Sequence, residues 1–111
     1  MTKKKLKGLE YGKIYKLVDN TNGNIYIGST EYKHLNDRLL KHKQRYRDFI
    51  TAHNSYIASL EIINNGDYYI ELLENYPCNS KLELRTKEQE YMDKYRNAKL
   101  LNIQNAVSKN K

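Results

Sequence analysis

The sequence predicts a small α+β domain: a three-stranded antiparallel sheet flanked by helices, with its elements in the order β-β-α-α-β-α. Three observations predict it. Residues 11–30 form two short strand-like runs around Asn20-Thr21-Asn22-Gly23, and Asn-Gly between such runs is a strong hairpin signal. Residues 34–65 then carry apolar side chains at helical spacing, as two helices with one buried face each require. Tyr68 to Glu74, rich in aromatic and branched residues, reads as a third strand ahead of a capped helix, which places helices and strands in one mixed layer system.

The hairpin sets its own register. If the four loop residues close the turn, Asp19 faces Asn24, Leu17 faces Tyr26 and Tyr15 faces Gly28. Side chains alternate along a strand, so Lys13, Tyr15 and Leu17 share one face with Asn24, Tyr26 and Gly28. Two phenols then stand diagonally about 7–8 Å apart, and the glycine opposite Tyr15 is expected to leave open space beside its ring.

The first helix is read over residues 34–50, from Leu35, Leu39, His42, Tyr46 and Phe49 on one stripe, with most charged residues elsewhere. Ser29, Thr30 and Asn36 are all candidates to cap it. A second helix is expected over Thr51 to Asn65, with Tyr56, Ile57, Leu60 and Ile63 inward and Asn65-Gly66 as its stop. The strand Tyr68 to Glu74 ends before Tyr76-Pro77. The last helix runs from about Ser80 to Arg96, where Ser80 and Glu83 form a capping box. Its inward stripe is Leu84, Glu88, Tyr91, Met92 and Tyr95, and Leu100 to Ile103 is expected to pack back on the core. Residues 1–9 read as a basic flexible tail, 10–105 as one domain and 106–111 as a second flexible tail.

Composition narrows the function. With a single cysteine, Cys78, no intrachain disulfide is available, and a reducing compartment is expected. No apolar run approaches the roughly 20 residues of a membrane span, and the lysine-rich start lacks the apolar core of a signal peptide. An intracellular, soluble protein without membrane partner follows as the expectation. The net charge is +7. Residues 1–50 hold twelve Lys or Arg against five acids, whereas residues 51–111 hold eight of each. The hairpin and the first helix thus carry the whole excess, which suits a polyanion on that side. There is no phosphate-binding loop, no dinucleotide fingerprint and no two-histidine metal motif, so no small-molecule cofactor is expected.

Lys13-Ile14-Tyr15 followed by Tyr26-Ile27-Gly28 resembles the paired motifs of the GIY-YIG endonuclease family, with the tyrosines at that family's usual separation and Lys13 in place of its first glycine. The resemblance spans about residues 11–104 and implies the fold order read above. Leu35, Arg38 and His42 match the family's pattern on the helix after the second motif. Lys87 to Met92 matches the segment around its metal-binding glutamate with Glu88, and the late asparagine falls on Asn102. The resemblance therefore implies Tyr15, Tyr26, Arg38, His42, Glu88 and Asn102 as catalytic residues, with Glu88 as ligand to one divalent metal ion, Mg²⁺ or Mn²⁺. Lys13, Gly28, Ser29, Thr30, Lys41 and Arg45 are the expected substrate-binding residues.

The chemistry needs these residue types. A phosphodiester is anionic and repels a water nucleophile, so its hydrolysis demands positive charge and a base. Arginine holds two phosphate oxygens at once, and one carboxylate with waters and phosphate oxygens is an ordinary shell for Mg²⁺. Family resemblance makes Tyr15 the group that orients or deprotonates the water. A phenol of pKa about 10 is rarely ionised at neutral pH, so something must lower it or accept its proton, and Tyr26, His42 and Lys13 are the candidates. Glu88 sits on the apolar stripe, where a lone charge is costly, while Glu90 neighbours Lys87, Asp93 and Lys94 in a solvated setting.

The expected activity is metal-dependent hydrolysis of DNA. The protein would grip the phosphate backbone with low sequence specificity, as a monomer or a dimer, because 111 residues leave no room for an appended recognition part. A mobile-element (homing) nuclease, a repair or recombination nuclease and a restriction enzyme all fit. The rival readings are a basic DNA- or RNA-binding module without catalysis and an interaction protein whose basic face docks an acidic partner.

Overall fold

In the computed structural model, which describes residues 6–52 and 58–102, the first hairpin folds in the register its turn dictates. Strand β1 is Lys13–Asp19 and β2 is Ile25–Thr30. Tyr15 stands opposite Gly28 and Leu17 opposite Tyr26. Gly23 takes φ 79°, a left-handed conformation that suits glycine, and its N–H donates to Asp19 O at 2.8 Å. The buried Asp19 carboxylate accepts from Thr21 N at 2.8 Å, from the Thr21 hydroxyl at 2.6 Å and from Asn65 Nδ2 at 2.7 Å. The turn is thereby tied at its base, and a one-residue slip would invert both faces of the strands.

The remaining elements are α1 (Leu35–Ala52), α2 (Ser59–Asn65), β3 (Tyr68–Asn75) and α3 (Lys81–Lys94). This is the predicted β-β-α-α-β-α order, and the three strands form one antiparallel sheet in the order β2-β1-β3. Strand alternation splits the core in two. Ile14, Ile25 and Ile27 pack against Leu84 and Met92 of α3 on one face. Leu17 packs against Ile62 and Ile63 of α2 on the other, with Tyr26, Leu39 and Tyr46 beside them. The sheet is thus a middle layer between α3 and the α1–α2 pair. Residues after α3 cover the outer edge of β2: Ile25 N donates to Lys99 O and Leu101 N to Ile25 O, each at 2.8 Å.

Several local expectations change. The second helix is short, Ser59–Asn65, because α1 runs on through Thr51, whose hydroxyl bonds Arg47 O one turn back at 2.7 Å. Tyr56 and Ile57 lie outside the described residues, as does Ile103. Gly66 ends α2 in the left-handed conformation, as read. None of Ser29, Thr30 or Asn36 precedes Leu35, since His34 occupies that position. Ser80 caps α3 by accepting from Glu83 N, but the Glu83 carboxylate returns to Asn79 N rather than to Ser80. Within the stretch read as a basic tail, residues 6–9 are joined to the loop after β2: Gly8 N donates to Glu31 O and Lys33 N to Leu6 O, each at 2.9 Å. Among the described residues no helix is long and apolar enough to cross a membrane.

Candidate active site

His42 is a polar residue on the apolar stripe of α1, and it is fully buried. Such a group must be hydrogen-bonded on both nitrogens to be tolerated. It is: Nε2 lies 2.7 Å from the Tyr15 hydroxyl and Nδ1 lies 3.0 Å from Ser59 Oγ. The rings of Tyr15 and Tyr26 approach it edge-on, at centroid distances of 5.8 and 5.7 Å. Helix α1 supplies a second partner to the same phenol, because Arg38 Nε donates to the Tyr15 oxygen at 3.1 Å. Arg38 and His42, four residues apart on one helix face, therefore hold Tyr15 between them. Gly28 gives it the space to lie there. A Cβ at Gly28 would collide with the Tyr15 hydroxyl and ring carbons. The space expected beside the ring is thus filled by the ring itself.

Burial sets the charge states. Desolvation pushes the Tyr15 phenol well up, with Arg38 only partly opposing, and desolvation raises Tyr26 as well. The His42 imidazole is held down to about 3, first by burial and then by the Arg38 and Arg45 charges. His42 is neutral at physiological pH and Tyr15 keeps its proton.

The second part of the site belongs to the other face of the sheet. Ser29 points toward α3, where its hydroxyl donates to Glu88 Oε1 at 2.5 Å. Burial raises the Glu88 carboxyl, against the Ser29 hydrogen bond and the charges of Arg85 and Arg38. Glu90 is exposed and pairs with Lys87 at 3.2 Å. A cleft of about 220 Å³ joins the two faces around the end of β2, lined by Ser29, Thr30 and Arg38 on one side and Leu84, Arg85 and Lys81 on the other. Thr30 also accepts from Tyr32 N at 3.1 Å.

Other candidates take different places. Asn102 spends its amide on the backbone of β2: Oδ1 accepts from Ile27 N at 2.8 Å and Nδ2 donates to Ile27 O at 2.7 Å. It extends the strand ladder beside the site. The Lys13 ammonium donates to Tyr11 O at 2.9 Å and Tyr32 O at 3.2 Å rather than to the Tyr15 hydroxyl. Lys41 and Arg45 are exposed on α1. Sequence reasoning missed Ser59, whose role exists only through His42, and missed Lys7, Lys81 and Arg85 in the cleft. The one available signal was spacing: Lys81, Arg85 and Glu88 fall on one face of α3 at intervals of four and three.

A divalent ion fits this donor set in one form only. Among the described residues no group of three or more His, Cys, Asp or Glu side chains stands together, so a caged or thiolate-type site is excluded for them. Glu88 has a carboxylate whose charge is costly where it stands, which a cation would offset, and hard oxygen ligation with waters and substrate phosphate is the habit of Mg²⁺.

Comparison with known proteins gives the same frame. The catalytic domain of the intron endonuclease I-TevI, in a mutant form, superposes with a TM-score of 0.62 at 20% identity, covering 88% of this chain and 98% of that one. None of the curated proteins matches the sequence. The family model of the GIY-YIG catalytic domain matches residues 11–102, a stretch that runs from the residue before Gly12 to the amide that closes β2, and on that ground the chain belongs to the GIY-YIG family.

Proposed function

We propose that this protein is an endonuclease that hydrolyses phosphodiester bonds in DNA with the help of one divalent metal ion held by Glu88. The observation that carries this reading is the hydrogen-bonded line from Arg38 through Tyr15 to His42, next to a cationic cleft. A phenol oxygen has one hydrogen to give and two lone pairs. With the imidazole hydrogen on Nδ1 toward Ser59, Tyr15 donates to His42 Nε2 and accepts from Arg38, which leaves one lone pair for the hydrogen of an attacking water. Tyr15 then takes the water proton while passing its own to His42.

The order of events follows from the charge states. Resting phenolate is disfavoured by burial, so the two proton transfers accompany attack rather than precede it. Tyr15 is also fully buried, with Arg38 bonded to it and lining the cleft. A scissile phosphate that draws the guanidinium forward uncovers the hydroxyl. The same anion offsets the Arg38 charge, which after burial is the next cause of the low His42 basicity. Substrate binding thus assembles the base. When bound at Glu88, the metal ion supplies positive charge for the phosphate and the leaving oxygen. Arg38 contributes from the other side with a two-point grip that lysine cannot reproduce.

The test is supercoiled plasmid incubated with the protein, with and without Mg²⁺ or Mn²⁺, alongside Tyr15→Phe. Nicked or linear product is expected only with metal, and Tyr15→Phe is expected to lose at least about 10²-fold, the low end of general-base contributions. Cutting by Tyr15→Phe within threefold of the parent removes Tyr15 from the chemistry. Retained DNA affinity with no cutting under any metal supports the rival reading of a binding module on this fold.

A further inference from the structure

Beside the cleft at Arg38 lies a second one of different chemistry, and the two share a single lining residue, Tyr32. The first cleft carries four cations, Lys7, Arg38, Lys81 and Arg85, against one acid, Glu31, which pairs with Lys81 at 3.7 Å. The second, about 440 Å³, has Leu6 and Leu40 in its lining, rimmed by Lys41 and Arg47 with Asp37 as its one acid. Those two leucines are 51% and 54% exposed, a surface on which a phosphate gains nothing. The backbone of Tyr32, between them, is held in place. Its N–H is bonded to Thr30, its carbonyl accepts from Lys13, and the Lys7 ammonium stands 5.3 Å from its ring centroid.

We propose that the second cleft is a base-binding site: an unpaired nucleotide beside the scissile phosphate leaves the duplex and stacks on Tyr32, between Leu6 and Leu40. The inference rests on the nuclease reading and gives it a substrate class, DNA with an unstacked base near the cut. A nucleobase has two apolar faces and a polar edge, which matches leucines rimmed by cations. Its neighbouring phosphates fall on the cationic cleft on one side and on Lys41 and Arg47 on the other. Lys7 over one face of Tyr32 strengthens the ring as a stacking platform, since cation and base then sandwich it. A base inside a duplex is covered by its neighbours and cannot reach the ring, so perfectly paired DNA forgoes this contact.

The experiment measures binding to two oligonucleotide duplexes in EDTA, so that nothing is cut: one fully paired, one with a single unpaired 2-aminopurine. The parent is expected to bind the second at least tenfold more tightly and to change its 2-aminopurine fluorescence. Base–aromatic stacking energies predict that Tyr32→Ala lowers affinity for the unpaired duplex roughly 5- to 150-fold, with a smaller effect on the paired one. Leu40→Ser should narrow the preference in the same direction. Tyr32→Phe, which keeps the ring, should retain it, so the inference stays exposed even if the alanine variant folds badly. Equal parental affinity for the two duplexes overturns it, as does a Leu40→Ser or Tyr32→Ala variant that weakens both alike. A parent that cuts plasmid yet shows no preference overturns the base site alone, whereas one that binds neither duplex overturns the nuclease reading with it.

Discussion

Stability should fall steeply on mild acidification because of one imidazole. His42 has no exposed surface and is held to a pKa of about 3, while an unfolded histidine titrates near 6.5. Its folded value is depressed, so its contribution is complete above pH 6.5 and is lost as pH falls toward 3. Each unit of difference is worth about 1.36 kcal/mol. Integration over the unfolded-state protonation gives a loss of about 2 kcal/mol between pH 7 and 5, and about 5 kcal/mol once pH is below 3. Burial also raises Glu88, and that carboxyl acts in the opposite sense, since its penalty is relieved as it protonates. The comparison is therefore made against His42→Gln, which shares Glu88 and every exposed carboxylate. Urea denaturation at pH 7, 6 and 5 should show the parent's advantage over His42→Gln shrinking by about 2 kcal/mol. Imidazole resonances followed by NMR should show His42 unprotonated throughout that range. A His42 pKa above about 5.5, or an advantage constant within 0.5 kcal/mol, would refute the reasoning.

Other substitutions divide the site into parts. Glu88→Gln should abolish metal-dependent cutting and weaken Mn²⁺ binding, while Glu90→Gln, on the exposed side of the same helix, should change activity little and stability by about 0.5 kcal/mol or less; plasmid nicking and Mn²⁺ titration on both variants decide, and the reverse pattern refutes the assignment. Gly28→Ala should push the Tyr15 ring off His42, at about 1–3 kcal/mol by the usual cost of overpacking. Melting and nicking should therefore fall together, and an unchanged melt would show that the ring lies elsewhere. Asn102→Ala removes two hydrogen bonds from the β2 backbone and should cost about 1–3 kcal/mol without changing Mn²⁺ affinity. A tenfold loss of Mn²⁺ binding at unchanged stability would make Asn102 a ligand instead of a support.

What the sequence determined by itself was whatever depends on neighbours along the chain. Asn22-Gly23 and Asp19 set a turn, the turn sets which residues face each other, and strand alternation puts Tyr15 and Tyr26 on one side. Helical spacing brought Arg38 beneath His42 and separated Glu88 from Glu90. Gly66 ended α2 because only the backbone of that residue had to turn. The boundary between α1 and α2 was not legible, since no breaker separates Phe49 from Thr51, and the Ser59–His42 hydrogen bond that joins the two helices is a contact no local pattern signals. Gln89, buried on α3 although outside the stripe read as inward, was equally invisible. Charge counted along the chain assigned the basic face to residues 1–50, yet Lys81 and Arg85 from the neutral half stand in the same cleft as Arg38. Only the tertiary structure decided these points, and the burial of Tyr15 with them. They are properties of surfaces assembled from α1, β2 and α3, whose separation in sequence carries no information about the low-dielectric space they enclose.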